Sequence, residues 1–250
     1  MKAVIKSILF FFLRMWKPRL SGVSILMYHS VGEDSRFFTV SVQEFRRQMM
    51  YLKEKKFLVR RLSEVVRDMR AGRTLQPSVV ITFDDGYKNF LTHALPVLND
   101  VGFPATVFIA SKLLGTSDIV TAAEVTDVAH QGRIDFMPHT ATHRILREAT
   151  REEQRYELHT ALADIQKLVH IPEPVIAYPK GKYTDETVTI AHETGYCAGV
   201  TVHEGIVHAG DALYELKRNS IDSSTTFGQF KAKVSDAIAM YVRLKNFLHL

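Results

Sequence analysis

The chain alternates two periodicities. Short apolar, β-branched runs at Val23–Tyr28, Phe57–Val59, Val79–Phe83, Ala105–Ala110, Ile134–Met137, Val175–Tyr178 and Tyr196–Val202 read as buried strands. Between them, apolar residues recur every three or four positions, the pattern of amphipathic helices. Ser41-Val42-Gln43-Glu44 has the form of a capping box and opens a helix with Phe45, Met49 and Leu52 on one stripe. Leu62–Met69 reads as a second helix, closed near Gly72, and Tyr87–Val101 as a third with Leu91, Leu95 and Leu98 inward. Pro96 predicts a kink in that third helix, and Gly102-Phe103-Pro104 stops it. Thr121–His130 follows, and a second capping box, Thr150-Arg151-Glu152-Glu153, starts a long helix through Leu158, Leu162, Ile165 and Leu168. Asp185–Glu193 ends at Gly195, and a last helix covers Phe227–Phe247.

Strand–helix alternation without repeats or low-complexity tracts predicts one α/β domain with parallel strands. About seven strands suit a barrel better than a small open sheet. In such folds chemistry gathers at the C-terminal ends of the strands.

The 250 residues are 46% hydrophobic and 24% charged, ordinary for a globular protein. Charge matters by position. Lys2, Lys6, Arg14, Lys17 and Arg19 lie in the first 32 residues with no acid among them; these five equal the whole net charge of +5, so the rest carries 27 charges of each sign. A basic body for nucleic-acid binding is therefore absent. The same segment holds Ile8–Leu13 and Trp16. Six apolar residues cannot span a bilayer, which takes roughly 20. Residues 1–22 read equally as an interfacial anchor on an anionic membrane, in contact through residues 1–20, or as a first helix docked by its aromatics; residues 23–250 read as the α/β domain. The single cysteine, Cys197, excludes a disulfide framework and is expected in the core. That suits cytoplasm or a membrane-associated position and does not exclude the periplasm.

The candidate chemistry lies at strand tips. Thr82-Phe83-Asp84-Asp85-Gly86 ends a buried strand with two carboxylates, an expensive arrangement unless metal or proton chemistry occupies it. Strand alternation would aim the two at different tasks. His139-Thr140-Ala141-Thr142-His143 follows the Ile134–Met137 strand; if it turns helically, both imidazoles face one way. Two histidines and one carboxylate leave coordination positions open, as catalytic metal sites do. Met27-Tyr28-His29-Ser30 closes the first strand, and Ala177-Tyr178-Pro179-Lys180-Gly181 ends another in a turn able to present a backbone N–H to an oxyanion. Eight further histidines (His93, His130, His159, His170, His192, His203, His208 and His249) have no partner motif and are expected in solvent.

Together Thr82–Gly86, His139–His143, the Tyr178-Pro179 turn and Tyr28-His29 resemble the polysaccharide deacetylase superfamily, carbohydrate esterase family 4 with its nodulation-type deacetylase domain. Gly102–Thr106 and Gly195-Tyr196 add to a likeness that covers residues 23–245. The motif order is similar to that of the circularly permuted members, poly-N-acetylglucosamine deacetylases among them. The resemblance implies a distorted (β/α)7 barrel in a single domain. It implies a metal-dependent amidohydrolase that removes an acetyl or formyl group from an amino sugar of a polysaccharide or lipid-linked glycan. Asp85, His139 and His143 would hold a divalent metal, commonly zinc, with nickel or cobalt tolerated. Asp84 would be the general base, Tyr178, Pro179 and Lys180 the oxyanion turn with the N–H of Lys180, and His29 the acid for the leaving amine. Asp84 ionised and His29 protonated give a bell-shaped pH profile.

The chain departs from that pattern in three places. Many members carry an arginine two residues before the turn proline to orient the base; here that residue is Ala177. Arg218 either supplies the guanidinium from elsewhere or is a solvated surface arginine. Lys180 replaces the aromatic after the proline, and Pro138 replaces the usual serine before the first histidine. Two alternatives stand beside the enzyme: an inactive deacetylase-like glycan-binding protein, which would be expected to have lost a ligand or base, and a phosphoesterase, which would want a phosphate-cradling loop.

Overall fold

The computed structural model describes residues 19–247. Its strands are β1 (Val23–Tyr28), β2 (Ser30–Val31), β3 (Thr39–Val40), β4 (Val59–Arg60), β5 (Ser78–Phe83), β6 (Ala105–Ile109), β7 (Ile134–Pro138), β8 (Val175–Ala177), β9 (Ala198–Val200) and β10 (Asn219–Ser220). Its α-helices are α1 (Val42–Glu54), α2 (Leu62–Arg70), α3 (Leu95–Val101), α4 (Ala122–His130), α5 (Arg151–Gln166), α6 (Asp185–Thr194), α7 (Phe227–Lys233) and α8 (Ala237–Phe247).

The backbone ladder runs β10-β1-β5-β6-β7, all parallel, and β8-β9 form a separate parallel pair. β4 adds to β5 through Val59↔Val79 and Arg60↔Val80, below the β6 contact at Thr82↔Thr106. Every residue of β1 and β5 is buried, as expected of parallel strands covered on both faces. β1, β5, β6, β7, β8, β9 and β10 make the seven staves of a distorted (β/α)7 barrel. Two seams interrupt its ladder, and side chains stitch both. Between β7 and β8, His139 Nδ1 lies 2.7 Å from the carbonyl of Ala177. Between β9 and β10, the N–H of Thr201 donates to the carbonyl of Leu216 and the N–H of Leu216 to that of Gly199, while Arg218 Nε donates to the carbonyl of Thr201 at 2.9 Å.

The local departures from the sequence reading have identifiable causes. The third helix is disturbed before Pro96: a π-turn over Phe90–Ala94 precedes α3, and Pro96 falls at the start of α3. The extra residue per turn rotates the stripe, so Phe90 and Ala94 are buried and Leu91 only half-buried. Phe57 closes α1 by donating to the carbonyl of Leu52, which leaves β4 only Val59 and Arg60. Tyr196 likewise belongs to the end of α6 through its bond to Ala191, shortening β9. The last helix is two. Asp236 leaves helical bonding because its N–H donates to the carbonyl of Arg19 and its carboxylate accepts from both the N–H and hydroxyl of Ser21. Residues 1–18 of the basic apolar segment lie outside the described residues, as does His249. Among the described residues no helix is long and apolar enough to cross a membrane. Cys197 is half-buried against the core, His93 is half-buried, and the other six described histidines without a motif are exposed.

Candidate active site

β5 delivers the two aspartates, but the pleat alone does not separate them. Asp84 continues the strand, its N–H donating to the carbonyl of Tyr28 at 2.9 Å. Asp85 then turns into the left-handed region with φ 71° and Gly86 follows at φ 73°. A Cβ at Gly86 would meet Ile109 at 3.2 Å as well as the unfavourable φ, so this position requires glycine.

Asp84 points into a sealed pocket. Its side chain is 4% exposed and accepts two bonds from the fully buried Arg218, Nη1 to Oδ1 at 2.6 Å and Nη2 to Oδ2 at 2.7 Å. The guanidinium is itself fixed by Thr201, by Thr82 Oγ1 at 3.3 Å, and by the ring of Phe108 with its centroid 5.5 Å away. Burial pushes the Asp84 carboxyl up, but the charge and hydrogen bonds of Arg218 outweigh it, helped by His139 and His29, so it lies below the usual carboxylate range. Arg218 is not a solvated surface arginine. It is fully buried against Asp84, while the carbonyl of Ala177 is taken by His139.

Asp85 faces the open side, where its carboxyl is 21% exposed. Its Oδ1 lies 3.5 Å from His139 Nε2 and 3.3 Å from His143 Nε2, and one ligand atom from each residue falls within 4.8 Å of the others. Because His139 Nδ1 faces a carbonyl oxygen, which only accepts, it carries the ring proton and Nε2 offers its lone pair toward Asp85. Burial holds the His139 pKa down and keeps the ring neutral, as a ligand must be, while the hydrogen bond to Asp85 pushes His143 up. Burial raises the Asp85 carboxyl, and the bond to His143 with the charges of the histidines more than reverses this. One carboxylate and two imidazoles in an otherwise open cluster suit a divalent metal of borderline softness.

The 139–143 segment is not helical. It is a bent loop with Thr140 at φ 65° and His143 at φ 62°. Of the five non-glycine residues with positive φ among the described residues, four (Asp85, Thr140, His143 and Lys180) belong to these motifs, at a cost of about 1–2 kcal/mol each. The histidines converge through this strained bend rather than through helical spacing.

His29, half-buried just past β1, acts electrostatically on both aspartates and packs its ring 5.7 Å from that of Phe38. Tyr178 is buried, stacks on Tyr183 at 4.5 Å and donates to the carbonyl of Tyr214. A Cβ at Gly199 would fall 2.3 Å from its hydroxyl, so β9 must carry glycine there. Pro179 is buried, Lys180 is exposed at φ 55°, and its charge reaches His143. Asp84, Asp85, His139, His143, His29, Lys180 and Arg218 thus form one electrostatically connected group. Sequence reasoning missed Tyr87, which bonds Asp85 and whose phenol is pushed up to about 12 by burial and by that carboxylate. It directly follows Gly86, and that adjacency was its signal. Phe108, Thr201 and Glu157 carried none.

The family model for polysaccharide deacetylase matches residues 71–199, just over half of the chain. This chain belongs to the polysaccharide deacetylase family. The matched stretch holds both aspartates, both loop histidines and the Pro179 turn, whereas His29 and Arg218 lie outside it. Protein YxkH of Bacillus subtilis, whose name places it among polysaccharide deacetylases, is 31% identical over 82% of this chain and 75% of its own length. The poly-β-1,6-N-acetyl-D-glucosamine N-deacetylase of Staphylococcus epidermidis is 26% identical over 76% of this chain and 70% of its own. The structure of the Streptococcus pyogenes deacetylase PplD with acetate superposes with TM-score 0.79 at 26% identity, covering 88% of this chain and all of that one. The family, the barrel and the carbohydrate deacetylase class expected from the motifs are all met.

Proposed function

We propose that this protein hydrolyses the N-acetyl amide of an amino sugar in a polysaccharide, with Asp84 as general base, His29 as general acid, and Asp85, His139 and His143 holding a divalent metal, zinc first. The observation that carries the reading is the division at the tip of β5: one carboxylate locked ionised against Arg218, its neighbour joined to two imidazole nitrogens. A divalent cation bound there supplies Lewis acidity to an acyl oxygen and makes water more acidic. Arg218 orients Asp84 and keeps it ionised, ready to take the proton of the attacking water. His29, just past β1, donates a proton to the nitrogen, so that the sugar leaves as an amine. The backbone N–H of Lys180 in the turn after Tyr178 and Pro179 stabilises the developing oxyanion. Acetate and a free amino sugar result.

The names of the relatives favour a polymer of N-acetylglucosamine as substrate, with a lipid-linked glycan or an N-formyl group as the other arms of the test. The basic apolar residues 1–22 fit peripheral contact with an anionic membrane, and residues 23–250 the catalytic domain. Acetate and formate release from N-acylated oligosaccharides and lipid-linked amino sugars, with zinc, nickel or cobalt added to metal-stripped protein, tests the reaction. No release from any of them, under any metal, overturns it. Deletion of residues 1–20 should reduce sedimentation with anionic liposomes; unchanged sedimentation removes the membrane contact.

A further inference from the structure

We propose that Glu157 is a positioning residue for the metal site, acting on His143 alone, an inference that rests on the metal reading above. Glu157 lies in the second turn of α5, 3% exposed, and sends its carboxylate under the 139–143 loop. Both of its oxygens are used there: the N–H of Thr142 donates to Oε2 at 2.8 Å and the hydroxyl of Thr142 to Oε1 at 2.5 Å. Both oxygens of a carboxylate accept, so it takes the N–H and the hydroxyl hydrogen together, in bonds stronger than a neutral side chain would make.

The rest of the loop is held elsewhere. The N–H of His139 donates to the carbonyl of Ile109, the carbonyl of Thr140 accepts from Ser111, and that of Ala141 accepts from Lys112. Residues 139–141 are therefore fixed by the end of β6 and the turn after it. The backbone attachment changes at Thr142, where α5 takes over from β6. His143, next in the chain, is left-handed at φ 62° and reaches Asp85 only from that bend. The two imidazoles thus hang from different supports: His139 from β7, Ile109 and the Ala177 carbonyl, His143 from the Thr142–Glu157 clamp. A partner that orients a ligand typically tunes metal affinity by about 10–100-fold.

The test is metal affinity, read by competition with a chromogenic chelator on the full chain, with circular dichroism and the denaturant midpoint as controls for folding. Glu157→Gln, whose neutral amide replaces both carboxylate bonds with weaker neutral ones, should weaken zinc binding by about 10–100-fold. Thr142→Ala should weaken it less, and Thr142→Ser, which keeps the hydroxyl, should restore it. In a His143→Ala background, Glu157→Gln should have no further effect on affinity, because the ligand it positions is gone. Wild-type affinity in folded Glu157→Gln overturns the proposal, as does an equal loss in both backgrounds, which marks a general structural role. If Glu157→Gln does not fold, the Thr142 series decides: equal affinity in Thr142→Ala and wild type overturns the clamp. Wild-type protein that binds no zinc, nickel or cobalt overturns the metal reading itself.

Discussion

The two adjacent aspartates occupy opposite kinds of protein. Asp84 is embedded like a core residue, its charge cancelled by a guanidinium that is itself fully buried and held by Thr201, Thr82 and Phe108. Asp85, one peptide further, is part of an open cluster whose histidine His143 is 31% exposed and whose backbone is left-handed. The sealed side fixes a protonation state; the open side offers lone pairs. A hydrolytic site needs both, and the left-handed backbone of Asp85 itself turns the two apart.

The largest expected effect comes from neutralising the sealed side. Asp84→Asn should keep its metal by elemental analysis and lose about 10²–10⁴-fold in deacetylation rate, the usual size of acid–base assistance. A wild-type rate would remove the base role. Breaking the ion pair from the other end is next. Arg218→Met leaves a buried, unpaired carboxylate and should cost about 3–5 kcal/mol in urea unfolding, whereas His143→Ala, on the open side, should abolish tight metal binding yet cost the metal-free protein no more than about 1 kcal/mol. Equal losses of stability would erase the contrast. The smallest effect is in pH. Since the folded pKa of Asp84 is depressed, its stabilisation is full above the ordinary carboxylate pKa of about 4 and lost as pH falls through the folded value. The gap in urea midpoint between wild type and Asp84→Asn should therefore stay flat from pH 7 to 5 and narrow below about 4. A gap that widens on acidification would mean that Asp84 enters the folded state protonated.

The sealed side was also the less legible in sequence. Asp84-Asp85 and His139–His143 are local patterns, visible because their spacing is short. Arg218 binds Asp84 across 134 residues, and only the missing arginine at position 177 hinted that a guanidinium must come from somewhere. The Val23–Tyr28 strand was read to the residue because it is a largely apolar run buried on both faces. β8 and β9 were read too long, and the two histidines were brought together by a bend where a helical turn was expected. The Thr142–Glu157 contact left no trace, since a glutamate on an amphipathic helix ordinarily faces water.

The chain's closure has a kinetic meaning. β1, complete by residue 28, finds a neighbour in β10 at Asn219 and Ser220, through Leu26↔Asn219. That pairing spans most of the polypeptide, and the guanidinium that completes the Asp84 pocket directly precedes it. A growing chain can form β1, β4, β5 and β6 while still on the ribosome, yet the edge of β1 that β10 covers stays open until residues 219 and 220 have been translated. Such long-range parallel closure is slow and leaves a strand edge exposed. Catalytic competence should therefore be acquired last, at the same moment that the barrel ceases to be vulnerable to aggregation.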